Sequence, residues 1–209
     1  MKVLITAGPT REAIDPVRYL TNRSSGKMGY AIAGEAVRAG HQVLLISGPT
    51  SLDVPDGIDF IPVETAEEMY NAVANYLPRM DVGILAAAVA DYTPRVFSHQ
   101  KIKKSDDTLT LELIKTKDIL GSARVAMGFT GFLIGFAAET ENVEANARHK
   151  LVTKGCDLVV ANDVSRSDIG FDSHDNEALL VFPDHTEHFA KAAKHELAMY
   201  LVSLIGGGE

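Results

Sequence analysis

Short apolar, β-branched runs alternate with helix-length segments along this chain, and that alternation constrains the fold more than any other feature. Lys2–Ala7 (KVLITA) reads as a buried strand that ends at Gly8-Pro9. A helix begins near Gly26, with Met28, Ala31, Ile32 and Ala36 on its apolar face, and stops at Gly40. Gln42–Ser47 is a second strand ending at Gly48-Pro49, and residues 59–63 form a short third. Thr65-Ala66-Glu67-Glu68 has the form of a capping box and opens a helix that should run to about Leu77. Residues 82–89 (VGILAAAV) form a central strand with small residues at its end. Residues 133–137 make another buried run, 141–154 a helix closed by Gly155, and 157–161 and 178–182 two further strands. A final helix is expected from near Thr186, burying Phe189, Ala193, Leu197, Tyr200, Leu201 and Leu204. Residues 108–114 (TLTLELI) alternate with period two and read as a half-exposed hairpin or flap strand.

The pattern predicts a doubly wound, mostly parallel, Rossmann-like α/β sheet with helices on both faces. Ligands of such sheets bind at the carboxyl ends of the strands. At 209 residues, and with no shift in composition, residues 1–209 are expected to form one domain. The formal charge of −8 argues against a nucleic-acid or anionic-membrane binder, which would need basic excess. One cysteine, Cys156, excludes an intrachain disulfide and a cysteine-based metal cluster. The N-terminal apolar run is too short for a signal peptide, and no stretch approaches the ~20 apolar residues of a membrane span. A cytoplasmic protein is expected.

Four stretches carry chemistry. Ser24-Ser25-Gly26-Lys27-Met28-Gly29 lies at a helix start, where free amides and the positive end of the helix dipole suit an anion. A plain helix cap would look the same. The Walker phosphate loop fails, because Thr21 and Met28 stand where glycine and Ser/Thr are needed. The dinucleotide fingerprint fails as well: Ser24 replaces its first glycine, and the second strand ends in Ser47-Gly48 without a carboxylate. In Leu85-Ala86-Ala87-Ala88-Val89-Ala90-Asp91 the small side chains let a ligand lie against backbone, or simply pack a central strand. Asp91 there is suited to a ribose, a base or water-bound Mg²⁺. Lys101-Ile102-Lys103-Lys104 suits a triphosphate, with Lys101 and Lys103 on one side if extended; a solvated charged loop is the alternative. Asn146, Lys150 and Lys154 share one polar helix face that either holds phosphates or simply faces water, and Asn162-Asp163 is either a ligand contact or a turn. No zinc motif is evident: His195-Glu196 is followed by Met199, and His185 and His188 have no further partner. Cys156 reads as an inert core thiol.

Five stretches in order, 5–29 (ITAGPTREAIDPVRYLTNRSSGKMG), 86–92 (AAAVADY), 101–104 (KIKK), 135–140 (GFAAET) and 161–164 (ANDV), resemble the phosphopantothenoylcysteine synthetase family. These are the phosphopantothenate–cysteine ligases of coenzyme A biosynthesis, and the resemblance is to the bacterial, CTP-dependent type. The resemblance implies a homodimer and a two-step ligation of 4′-phosphopantothenate to L-cysteine through an acyl-cytidylate, releasing pyrophosphate and then CMP. It implies nucleotide contacts from Leu85, Ala86, Ala87, Asp91, Lys101, Lys117, Asp118, Ile119, Leu120, Phe136, Lys150 and Lys154. Lys101 would neutralise charge at the attacked α-phosphate. Asn22, with Arg18 nearby, would act on the acyl intermediate; a neutral amide positions and polarises but is no strong base. Ser24, Ser25, Gly26 and Lys27 would hold the substrate phosphate. Mg²⁺ is expected with the triphosphate, its protein ligands undefined beyond Asp91. A flavin-dependent decarboxylase often precedes this family's domain, so the chain is expected to be either free-standing or one part of such a fusion. Lys117 stands where the family commonly has proline, which leaves that loop freer in φ. The competing readings are an NAD(P)-dependent oxidoreductase and a nucleotide-binding module without turnover.

Overall fold

The computed structural model describes residues 1–104, 108–164 and 175–206. In chain order the elements are β1 (Lys2–Ala7), β2 (Arg11–Ala13), β3 (Tyr19–Thr21), α1 (Lys27–Arg38), β4 (Gln42–Ser47), β5 (Asp59–Pro62) and α2 (Ala66–Tyr76). They continue with β6 (Val82–Leu85), β7 (Tyr92–Pro94), β8 (Leu113–Lys115), α3 (Ile119–Val125), β9 (Phe132–Glu139) and α4 (Val143–Lys154). The last are β10 (Leu158–Asp163), β11 (Asp175–Val181), β12 (Thr186–Ala193) and α5 (Lys194–Gly206).

The main sheet has eight strands in the order β12-β11-β10-β9-β6-β1-β4-β5. Every pair from β10 through β9, β6, β1 and β4 to β5 is parallel, while β11 and β12 extend the sheet antiparallel. The parallel part has the strand order of dinucleotide-binding sheets, with its switch point between β1 and β6. Those strands are central because they are apolar on both faces: β1 is buried from Val3 to Ala7 and β6 throughout. One apolar layer packs α1 and α5 on one face through Ile32, Ala33, Leu197 and Leu201. The other packs α2, α3 and α4 through Met69, Val73, Ala123, Ala147 and Leu151.

Two glycines fix the start of α1. Gly26 is its N-cap with φ of +78°, a conformation that costs other residues energy. At Gly29 an added Cβ would lie 2.6 Å from Cβ of Ala7, so the helix rests on β1 only because the side chain is absent. The expected capping box is present at α2: Thr65 Oγ1 accepts from Glu68 N at 3.1 Å, and Glu68 Oε2 accepts from Thr65 N at 3.2 Å.

Three expectations are corrected. The helix expected from Thr186 starts at Lys194; Thr186 to Ala193 form edge strand β12, paired with β11 across a tight turn closed by Phe182 N to His185 O at 2.9 Å. Phe189, Ala193, Leu197 and Leu201 keep a spacing of four residues, which hid the change of element at Lys194. The central strand leaves the ladder at Leu85 rather than residue 89: Ala86 N still bonds Thr6 O of β1, but Ala88 and Ala90 bond to Gly8 and Thr10 of the loop after it. Of the strand expected over 108–114, only Leu113 and Ile114 belong to β8, which pairs with the three-residue β7; one further bond, Arg95 N to Glu112 O at 2.9 Å, continues the register.

Candidate active site

The switch point between β1 and β6 carries the site. Ala86 N donates to Thr6 O, Ala88 N to Gly8 O and Thr10 N to Ala88 O, so the loop after β6 runs beside the loop after β1. Thr6 Oγ1 accepts from Ala87 N and Thr10 Oγ1 from Ala90 N, two buried hydroxyls that fix its height. Small side chains at 86–88 then leave backbone open on both sides.

On one side is a cleft of about 490 Å³, a usual size for a small-molecule site. Its walls include Leu85, Ala87, Asp91, Lys117, Asp118, Ile119, Leu120, Phe136, Lys150 and Lys154, and also Thr6, Val89, Tyr92, Lys115 and Thr116. The lysines are built in. Lys150 Nζ donates to Phe136 O at 2.6 Å, and burial lowers its pKa against the pull of Glu139. Asp118 caps α3 through Gly121 N at 2.8 Å and accepts from Lys154 Nζ at 2.5 Å. Burial would raise the Asp118 pKa, but the bond to Lys154, the Gly121 N–H and the lysine charges outweigh it and hold the group below its ordinary value. Asn146 lies on the same helix, away from the cleft, bonded to Glu139 Oε2 and Glu141 O. Lys117, the residue in place of proline, reaches Glu67 at 3.6 Å and lies 4.8 Å from the Tyr70 ring centre. It therefore ties the cleft's rim to α2.

On the other side is a smaller cavity of about 130 Å³. Ser24, Ser25, Gly26 and Lys27 line it at the start of α1, with Ala86, Ala87, Phe136, Asn162 and Lys194. Ala87 and Phe136 belong to both cavities and form the wall between them. Asn162 Oδ1 is buried there without a hydrogen-bond partner among the described residues.

Three predicted residues line neither cavity. Asn22 is exposed, and its Nδ2 donates to Ala88 O at 3.0 Å and Val89 O at 3.1 Å, which hangs it over the loop between the cavities. Both amide protons are engaged, so Oδ1 is the atom left to interact, as an acceptor. Arg18 is held by Asp15 and by Ile102 O. Lys101 is exposed in an irregular segment beside them. Thr6 and Thr116 were not legible as site residues, because only the fold brings them to the cleft wall. Cys156 is buried, and burial pushes its pKa up to about 11, as suits a core thiol. Among the described residues there is no group of three or more His, Cys, Asp or Glu able to hold a metal. A Mg²⁺ that keeps its waters and rides on phosphates needs only one or two carboxylates, and Asp91 is on the cleft wall. Among the described residues, no helix is long and apolar enough to cross a membrane.

A carboxylate does not end β4, where Ser47 is buried instead, which removes the ribose anchor of a dinucleotide site. The chain is 47% identical over 206 residues to the coenzyme A biosynthesis bifunctional protein CoaBC of Vibrio cholerae, covering 98% of this chain and 52% of that protein. It is 50% identical over 186 residues to CoaBC of Bacillus subtilis, covering 87% and 45%. The chain thus spans about half the length of these relatives. Among solved structures, the C-terminal domain of CoaBC superposes with a TM-score of 0.82 at 42% identity, covering 98% of this chain and 93% of that one. The fold is also that of Cab2, solved as a mutant in complex with phosphopantothenate-cysteine, at a TM-score of 0.78 and 16% identity over 97% of this chain and 85% of that one. Residues 1–207 match the family described as the DNA/pantothenate metabolism flavoprotein C-terminal domain, and the chain belongs to that family.

Proposed function

We propose that this chain is a phosphopantothenate–cysteine ligase acting in coenzyme A biosynthesis, with CTP as its activating nucleotide. The observation that carries the reading is the pair of cavities that share Ala87 and Phe136. A lysine-walled cleft suits a triphosphate, and a helix start across the wall suits the phosphate of a second substrate. The nucleotide belongs in the larger cleft, its phosphates near Lys150 and Lys154. The 4′-phosphopantothenate phosphate belongs at Ser24 to Lys27, and its carboxylate then points toward the shared wall. The carboxylate oxygen attacks the α-phosphorus, and pyrophosphate departs with the electron pair of the broken P–O bond. L-cysteine's amine next attacks the acyl carbon; CMP leaves and the amide forms, with one proton released from nitrogen.

Lys101 neutralises charge at the α-phosphate in this scheme. Because Lys101 lies outside the cleft wall of its own chain, the nucleotide it meets in this scheme is that of a second copy, reached from the segment as it is held. Asn22 positions the amine: Oδ1 accepts an N–H of the attacking nitrogen while Nδ2 stays on the backbone. Mg²⁺ would screen the triphosphate, with Asp91 the candidate protein ligand. A homodimer is supported by apolar side chains left exposed around the two small sheets β2–β3 and β7–β8: Val17, Tyr19, Tyr92, Val96, Phe97 and Leu113. A flavin-dependent decarboxylase is the expected companion, in keeping with the bifunctional relatives, and the cytoplasm the expected compartment.

The partial reaction tests the scheme. CTP and 4′-phosphopantothenate without cysteine should release about one pyrophosphate per site and stall. Nucleotide binding with no release in the complete mixture would favour a binding module, and tight binding of NAD(P) would favour an oxidoreductase.

A further inference from the structure

The segment bearing Lys101 is held by a single buried carboxylate. Asp15 is 2% exposed and sits in the turn between β2 and β3. Its two oxygens divide their work. Oδ1 accepts from Val17 N and Arg18 N, both at 2.9 Å, and so shapes its own turn. Oδ2 accepts from Arg18 Nε at 3.1 Å and Nη2 at 2.5 Å, and also from Ile102 N at 3.0 Å. The same Arg18 Nη2 donates to Ile102 O at 2.9 Å. One ion pair therefore grips both the N–H and the C=O of Ile102. A second tether, Ser98 N to Ile14 O at 3.0 Å, holds the segment a few residues earlier.

The grip sets which way the lysines face. Ile102 is half-buried against the turn, while Lys101 and Lys103 on either side are exposed. A point charge stabilises a developing phosphate charge only from a held position. Arg18, expected near the acyl intermediate, spends its Nε and Nη2 on this grip instead.

We infer that Asp15 is a positioning residue for the first chemical step, holding the backbone at Ile102 so that Lys101 is presented to the nucleotide phosphates. This rests on the ligase reading and on the role of Lys101 within it. Asp15 touches no reactant and acts through Lys101 alone.

The test is a double-mutant cycle on pyrophosphate release, run with the full chain, CTP, Mg²⁺, 4′-phosphopantothenate and cysteine. Asp15→Asn should slow release about tenfold. In a Lys101→Gln background the same change should have little further effect. Ile102→Pro removes the N–H that Asp15 accepts, leaves the Asp15–Arg18 pair in place, and should reproduce the Asp15→Asn defect. A readout independent of activity is trypsin cleavage after Lys103 and Lys104, which should quicken in both variants, a proline at 102 blocking the bond after Lys101, while the thermal midpoint of Ile102→Pro stays near that of the parent. Multiplicative effects of Asp15→Asn and Lys101→Gln would overturn the inference, as would an Ile102→Pro enzyme of normal rate. If Lys101→Gln alone turned over normally, the inference would fail while the ligase reading stood. An inactive parent protein would instead remove the ligase reading, and the inference with it.

Discussion

Asn22 and Lys101 carry the chemistry in the proposed scheme, at different steps. Lys101→Gln should slow CTP-dependent pyrophosphate release by about 10²-fold, the scale of one lost electrostatic contact to a developing charge. An unchanged rate would remove Lys101 from the mechanism. Asn22→Ala should slow transfer to cysteine more than pyrophosphate release, so the acyl-cytidylate should accumulate and be seen by mass spectrometry after an acid quench. Equal loss in both steps would contradict that role. The atomic assignment at Asn22 came from the fold: the residue type allowed donor or acceptor, and only the carbonyls of Ala88 and Val89 decide which atom is left. Lys150 and Lys154 were singled out by their spacing on one helix face and Phe136 by the resemblance; the bond of Lys154 to Asp118 and the wall between two cavities were not legible.

At the scale of elements, local signals survived wherever a segment's structure is fixed by its own residues. The Thr65 capping box is one such case, and Thr65→Ala should cost about 1 kcal/mol of stability by urea denaturation. A loss indistinguishable from zero would mean that Glu12, whose Oε1 accepts from Ala66 N at 2.8 Å, caps the helix alone. Strand β12 shows the opposite case. Its apolar residues fit a helical spacing, and only pairing with β11, invisible in a local window, makes it a strand. The same holds for residues 108–112, whose alternation finds, among the described residues, no strand to pair with beyond the bond from Arg95 N to Glu112 O. The β11–β12 turn also contains a titratable group. His185 bonds Asp184 at 2.7 Å and Glu187 at 3.1 Å, and these bonds, Asp184's first, raise its pKa above 6.5. A raised folded pKa means stability present below pH 6.5 and lost as pH climbs through the folded value. Denaturation midpoints should thus fall across that window in the parent and fall less in His185→Ala. The same slope in both would show that the turn contributes no proton linkage.

The whole molecule is a dinucleotide-type sheet put to another use. Its doubly wound, mostly parallel sheet was foreseeable from the alternation of elements, and its switch point is where the two cavities lie. Three changes redirect it: Ser47 ends β4 without a carboxylate, the β2–β3 insertion separates β1 from α1, and Phe136 with Ala87 divides the crevice in two. Two adjoining cavities suit a reaction that joins two molecules after activating one of them. The most direct measurement of that claim is the product. The chain would be incubated with Mg²⁺, 4′-phosphopantothenate, L-cysteine and either CTP or ATP, and the mixture weighed by mass spectrometry. The account predicts phosphopantothenoylcysteine, CMP and pyrophosphate in equal amounts, with CTP the faster nucleotide. A folded protein that forms no amide with either nucleotide would contradict it.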